Sequence, residues 1–189
     1  MRAFRWVALM ALASVAGCSI GGVPVFQTVN EHLQFPPNVV LKVPVGTKVQ
    51  DTDWVPAAMK EEKVSTGSLT TIQFIRGGQT MATATEWLTY QNIMKAPYRS
   101  PADYLEALKK EYKCLATYNV LQQSDSEILF EIHQPPCGGE TRPATHLFRV
   151  ILGKVNVFWI SYNAWLADFA PPQRQAARTL LQSFALIEN

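Results

Sequence analysis

The chain reads as an α+β domain: an antiparallel sheet of about six strands flanked by helices, in a two-layer or three-layer sandwich. Three observations predict it. Segments alternating apolar with polar residues fall between 68 and 94 and again between 115 and 164. Glycine and short polar turns join them closely enough to make hairpins. Two helical stripes, one near 101–112 and one from 171 onward, are each introduced by proline and stand apart from the strands.

The first residues have a different character. Arg2 and Arg5 precede an uncharged stretch from Trp6 to Ala16, then Gly17 and Cys18. A basic start, an apolar run of about 7–15 residues and small residues before a cut describe a secretory signal peptide. The run is shorter than the roughly 20 apolar residues of a membrane-spanning helix. Val15-Ala16-Gly17-Cys18 resembles the lipobox of Gram-negative bacterial lipoproteins. That resemblance implies that residues 1–17 are removed, that the Cys18 thiol carries a diacylglyceryl group, and that the new amino terminus receives a further acyl chain such as palmitate. The modification needs a thiolate nucleophile, hence cysteine. Ser19, where an aspartate would signal inner-membrane retention, resembles the outer-membrane sorting pattern. Acyl chains contribute about 0.8 kcal/mol per buried methylene, enough in combination to hold the protein on a membrane. The expectation is an outer-membrane lipoprotein with its domain in the periplasm.

Cleavage also resets the charge. Removing Arg2 and Arg5 from seventeen basic residues leaves fifteen against fifteen acidic ones, so the mature chain is formally neutral. No positive field remains to collect phosphates, and nucleic acid is not an expected partner. Residues 18–46, with Gly21-Gly22, Pro24, Pro36-Pro37 and Pro44, read as a lipidated tether reaching roughly 90 Å if fully extended. The alternative is that Val39 to Val43 pairs as an edge strand. Residues 47–189 make one globular domain.

Within it, Ser68–Arg76 alternates and ends at Gly77-Gly78, and Thr85–Met94 follows as a second strand rich in aromatic and β-branched residues. Ser100 can cap a helix from Pro101 to about Tyr112, with Asp103 closing a capping box and Tyr104, Leu105, Leu108 and Tyr112 on one stripe. Leu115–Gln123 and Glu127–Gln134 form a hairpin that pairs Tyr118 with Ile132, Val120 with Phe130 and Gln122 with Ile128. This register places Cys114 opposite Pro136, beside Cys137. With Cys18 used by lipid, the two remaining cysteines of an exported chain read as one disulfide, worth about 3 kcal/mol in the chain-entropy model. Zinc is the weaker alternative, because only His133 lies near in sequence.

Gly153-Lys154 reads as a two-residue turn pairing Leu152 with Val155, Val150 with Val157 and Phe148 with Trp159, a face suited to a helix layer. The opposite face carries Leu147, Arg149, Ile151, Phe158 and Ile160 and predicts either a second helix or a binding groove. A final helix begins at Pro171-Pro172 and buries Ala176, Ala177, Leu180, Leu181 and Phe184. The element order, from about Val49 to Ile187, is similar to Mog1/PsbP-like domains. Members of that group mostly act as binding or assembly factors.

Catalytic signatures are sparse. The three histidines are His32 in the tether, His133 at a strand end and His146, which the two-residue turn sets opposite Ser161. A Ser161–His146 dyad is the one nucleophile–base pair the sequence offers, without a G-x-S-x-G elbow or an orienting acid. Glu61-Glu62 reads as a solvated loop, and Trp54, Trp87, Trp159 and Trp165 as packing. No cofactor, metal site or enzymatic activity is expected. The leading expectation is a non-catalytic module binding another envelope protein: an assembly factor, a secretion-system accessory or an immunity protein. Arg149, Phe158, Tyr162 and Trp165 are its candidate contacts, since aromatic and arginine anchors dominate interfaces. A carrier of a small apolar ligand or lipid is the alternative; a hydrolase using Ser161 and His146 is the third.

Overall fold

The computed structural model of the chain describes residues 19–20, 23–24, 31–40, 54–64, 67–94, 99–111 and 114–188. The expected signal peptide, Cys18 and much of the expected tether lie outside these residues. Short strands β1 (Ser19–Ile20) and β2 (Val23–Pro24) pair with each other. Then follow β3 (Glu31–Gln34), β4 (Trp54–Val64), β5 (Gly67–Arg76), β6 (Glu86–Met94), α1 (Pro101–Glu111), β7 (Thr117–Gln123), β8 (Glu127–Gln134), β9 (Ala144–Leu152), β10 (Asn156–Ala164), α2 (Pro171–Gln182) and β11 (Ala185–Glu188). Seven strands build one antiparallel sheet in the order β4-β5-β6-β10-β9-β8-β7.

Alternation along the central strands decides which residue meets which helix. Tyr104 and Leu105 of α1 pack with Ile128, Phe130, Phe148, Val150 and Val157. On that face the Phe130, Phe148 and Trp159 rings stack in series at 5.1 and 5.0 Å. The opposite face, with Leu129, Leu147, Ile151, Phe158 and Ile160, packs on Ala177, Leu181 and Phe184 around α2. The face left open between helix and groove is therefore covered by a helix, and the sandwich has three layers. The capping box at α1 forms as expected: Asp103 N donates to Ser100 Oγ at 3.2 Å, and Ser100 N donates to the Asp103 carboxylate at 2.9 Å. The backbone N–H groups of Arg99 and Ser100, both donating to it, hold the Asp103 carboxyl below its usual range.

Four features depart from the expectations. The sheet gains β4, where Glu61-Glu62 was expected as a loop. As an edge strand carrying Lys60, Glu61, Glu62 and Lys63, with a register shift between Pro56 and Ala58, it lacks the apolar alternation of a half-buried strand; charge, proline and irregularity are how edges avoid unwanted pairing. In the β7–β8 hairpin Tyr118–Ile132 and Val120–Phe130 pair as expected, but a shift between Val120 and Gln122 puts Gln122 against Leu129, not Ile128. Cys114 and Cys137 still lie at disulfide distance, with Cα atoms 6.0 Å apart.

The third departure is the β9–β10 connection. Leu152 pairs with Val157 and Val150 with Trp159, so the turn has four residues rather than two. A two-residue shift preserves the pleat, which is why both faces remain as expected although every partner changes. The cause is Glu31. Its side chain is almost fully buried, and its carboxylate accepts the backbone N–H of Lys154, of Val155 at 3.0 Å and of Asn156 at 2.9 Å. Gly153 makes the approach possible, since a Cβ there would sit 2.8 Å from the Glu31 carboxyl carbon.

The fourth follows from the third. Part of the segment expected as tether belongs to the folded unit: β3 pairs antiparallel with β11, a strand the sequence did not announce. Leu33 and Val39 are buried, and Phe35 packs edge-on against Phe74, Tyr90 and Phe184 at 6.0, 5.0 and 5.0 Å. Val39 forms a single parallel bridge with Trp54; residues 41–43 of the alternative edge strand lie outside the described residues.

Glu31→Ala should cost about 2 kcal/mol in urea unfolding, the scale of a charge-assisted hydrogen-bond set. Gly153→Ala should cost a comparable amount by crowding the carboxylate. The double variant should cost less than the sum, because the added methyl then meets no carboxylate. Additive losses would show that the two residues do not interact.

Candidate functional site

The sheet is most polar at one end, where β10 finishes between the start of β6 and the start of β9. Adjacent residues there point to opposite faces, and each face carries a cleft.

On the α1 face, Trp87, Asn163 and His146 lie in one row across β6, β10 and β9. The Asn163 amide nitrogen faces four acceptors: Ser161 Oγ at 3.0 Å, Trp87 O at 3.2 Å, Ser161 O at 3.3 Å and Thr89 Oγ1 at 3.4 Å. That fixes the amide orientation and leaves Asn163 Oδ1 toward His146 Nδ1 at 2.8 Å. The imidazole proton therefore resides on Nδ1, and the buried Nε2 is a lone pair with no hydrogen-bond donor among the described residues. Burial pushes the His146 pKa below the usual imidazole value, outweighing the hydrogen bond to Asn163. Trp87 stands edge-on to this ring at 6.2 Å and contacts Trp165 at 5.0 Å. The Arg142 guanidinium lies 4.4 Å over Trp165, steered by Glu140 at 3.1 Å. Trp87, Trp165, Met81, Ala84 and Gln73 line a cleft of about 240 Å³, whose Met81 is largely exposed. A bond from Trp165 N to Thr85 O at 3.0 Å ties the β10 exit to the entry of β6.

On the α2 face, a cleft of about 320 Å³ is lined by Trp54, Arg76, Glu86, Tyr162, Gln173 and Leu180, among others. The Glu86 carboxylate accepts from Arg76 Nε at 2.8 Å and from the Tyr162 hydroxyl, which in turn accepts from Gln173 Nε2 at 3.1 Å. Arg76 lies 4.0 Å over the Trp54 ring. Burial, reinforced by Glu86, raises the Tyr162 pKa well above the ordinary phenol value, so the group remains a neutral donor. Nearby, Arg174 of α2 reaches the buried Glu131 at 2.7 Å and Asp168 at 2.5 Å, with His133 3.5 Å from Glu131.

The four candidate contacts do not form one patch. Trp165 lines the first cleft and Tyr162 the second. Phe158 is fully buried. Arg149 makes a two-pronged ion pair with Glu127 at 2.9 and 2.8 Å and donates to Leu181 O and Phe184 O at 2.8 and 2.7 Å, closing the carboxyl end of α2. The Ser161–His146 pairing is corrected by the four-residue turn: Ser161 faces Phe148, and His146 faces Asn163. Asn163, Trp87, Arg76 and Glu86 were missed as site residues. The last two were within reach, because the β5–β6 register that pairs Phe74 with Leu88 carries on to set Arg76 across from Glu86.

Among the described residues no three His, Cys, Asp or Glu side chains converge as a metal ion would require, and no helix is long and apolar enough to cross a membrane. No protein-family model matches the sequence, and no curated protein matches it significantly.

The buried His146 makes stability pH-dependent with a definite sign. Well above the ordinary imidazole pKa of about 6.5, both states carry a neutral ring and the group has no effect. As pH falls through that value the unfolded chain takes up a proton that the folded chain resists, so stability declines until the folded ring also protonates. His146→Gln should lessen the decline of urea midpoints between roughly pH 6.5 and 5. An unchanged pH slope in that variant would show that His146 does not contribute.

Proposed function

We propose that this chain is a lipid-anchored envelope protein whose domain binds another envelope protein and performs no catalysis of its own. In this reading residues 1–17 are a signal peptide, Cys18 carries the acyl groups, and the domain stands in the periplasm on the outer membrane. The seven-stranded antiparallel sheet between two helices is in keeping with a Mog1/PsbP-like arrangement, whose members mostly act in binding and assembly.

The observation that carries the binding role is the Trp87–Trp165 pair with the Arg142 guanidinium above it and exposed Met81 beside it. Two partly buried tryptophans and an arginine in contact are the composition of an interface hot spot. Their backbones are pinned by the Trp165 N to Thr85 O bond and by the Asn163 amide on Trp87 O, so little order is lost on docking.

One observation favours a second reading, a carrier of a small apolar ligand. Leu69, Gln91, Ile93, Tyr104, Leu108 and Trp159 border a cleft of about 320 Å³ between α1 and the sheet, within the size range of ligand sites. Native mass spectrometry of the purified protein separates the two, since a carrier retains lipid and a protein-binding module does not.

Labelled palmitate should enter the wild-type chain and not Cys18→Ala, which should leave the membrane fraction. A tagged chain drawn from detergent-solubilised envelopes should enrich a specific protein. Trp165→Ala should weaken that capture about thirty-fold, the effect of a 2 kcal/mol hot spot. Capture indifferent to both Trp87→Ala and Trp165→Ala would reject this surface.

A further inference from the structure

The seven-stranded sheet ends in two edges of opposite character. At one, β4 carries Lys60, Glu61, Glu62 and Lys63 together with Pro56, which discourage pairing with another chain. At the other, β7 reads Thr-Tyr-Asn-Val-Leu-Gln-Gln, without charge or proline, and all of its residues but Tyr118 and Leu121 are exposed. Among the described elements its one strand partner is β8, so a row of its backbone N–H and C=O groups faces outward. The shift between Val120 and Gln122 leaves 117–120 in unbroken register. The edge is fixed at both ends. Cys114 and Cys137 lie at disulfide distance just before it, and Ser124 N donates to Glu127 O at 2.7 Å in the turn after it. A strand held in this way loses little further freedom when another is laid beside it.

Two cations bracket this edge, one from each face. Lys109 Nζ of α1 lies 5.7 Å from the centre of the Tyr118 ring, and Arg178 Nη2 of α2 lies 3.4 Å from Gln122 Oε1. Lys109 also meets Glu106 at 2.7 Å, whereas Arg178 has no carboxylate partner among the described residues. Strand β7 itself supplies no acid to either. From this we infer that the β7 edge takes an extended acidic segment of a partner protein as an added antiparallel strand. Backbone pairing gives such a complex its affinity, and side chains at set positions give it selectivity. A second copy of β7 would offer the same ladder but no carboxylate, leaving both cations unmatched. The pleat sets the spacing. Tyr118 and Val120 lie toward α1, and Leu121 and Gln122 toward α2. Carboxylates aimed at Lys109 and at Arg178 therefore leave the added strand on opposite faces, an odd number of residues apart; the shift, which sets Leu121 and Gln122 against one partner residue, makes the count three. The residue between them that meets Val120, itself 46% exposed, is apolar.

The test uses the full chain in detergent and a fluorescent peptide as long as β7, made of threonine and valine with two glutamates three positions apart. The peptide should bind, and hydrogen exchange followed by mass spectrometry should slow in residues 117–123 while residues 54–64 stay unchanged. Replacing both glutamates by glutamine should weaken binding about ten-fold, since an exposed ion pair contributes up to about five-fold. Lys109→Glu and Arg178→Glu should each weaken it, and a peptide with lysines in place of the glutamates should bind the double variant and not the wild-type chain. Trp165→Ala should leave peptide binding as it is, so failure at this edge and failure at the tryptophan surface are separate results. No binding at millimolar peptide, equal binding of the glutamine peptide, or binding without protection of residues 117–123 overturns the inference. Protection of residues 117–123 that grows with protein concentration in the absence of peptide would make a second copy the occupant and overturn it as well.

Discussion

An anion withdrawn from water must find its donors in the protein, and the Glu31 carboxylate finds them in the backbone of a turn more than a hundred residues away. Neutral peptide N–H groups serve well here, because they stabilise the charge without burying a counter-ion that would need solvation of its own. Three parts of the chain then depend on one contact. The β9–β10 turn opens to four residues so that Lys154, Val155 and Asn156 can converge. Gly153 keeps the approach clear. Strand β3 is held in place, and with it the partner that makes the last four described residues a strand.

The consequences reach the candidate site through register. Strands β9 and β10 occupy the middle of the sheet, and their pairing is set at the turn. With a two-residue turn His146 would face Ser161; with the turn that Glu31 demands it faces Asn163, whose carboxamide satisfies His146 Nδ1 on one side and Ser161 Oγ on the other. A nucleophile–base pair is replaced by a buried amide network that fixes a tautomer. Its bonds tie β6, β10 and β9 together beneath the Trp87–Trp165 surface, while His146 Nε2 is left without a donor among the described residues.

Much of the fold was legible because hydrophobic alternation and local capping are near-neighbour effects. Ser100 and Asp103 announce α1, the paired prolines announce α2, and the apolar period of β8, β9 and β10 assigns each residue to its face. What was not legible depends on residues distant in sequence. Nothing near Glu31 indicates that its carboxylate belongs in a turn at 153–156, so β3, β11 and the hairpin register went unread together. Strand β4 was hidden for a different reason: an edge strand with solvent beside it has no need of alternation, and its Lys-Glu-Glu-Lys run looks like a loop. Of the candidate contacts, Trp165 and Tyr162 line clefts, and aromatic density at a strand end is visible in a sequence. Arg149 and Phe158 are the same residue types put to internal use, and composition does not distinguish a cap on a helix from an anchor for a partner.

The end of β10 shows why the two clefts are not independent accidents. Tyr162 and Asn163 are adjacent and point to opposite faces, and each is bonded to β6: Tyr162 to Glu86, its diagonal neighbour two residues from the facing Leu88, and Asn163 to the carbonyl of Trp87, which it faces. A slip of one residue would exchange the two faces and break both contacts at once. The same pair of strands thus fixes the aromatic surface on one side and the Arg76–Glu86–Tyr162–Gln173 network on the other. The strand end that leads into Trp165 is therefore held from both faces, with the Trp165 N to Thr85 O bond joining it to the entry of β6.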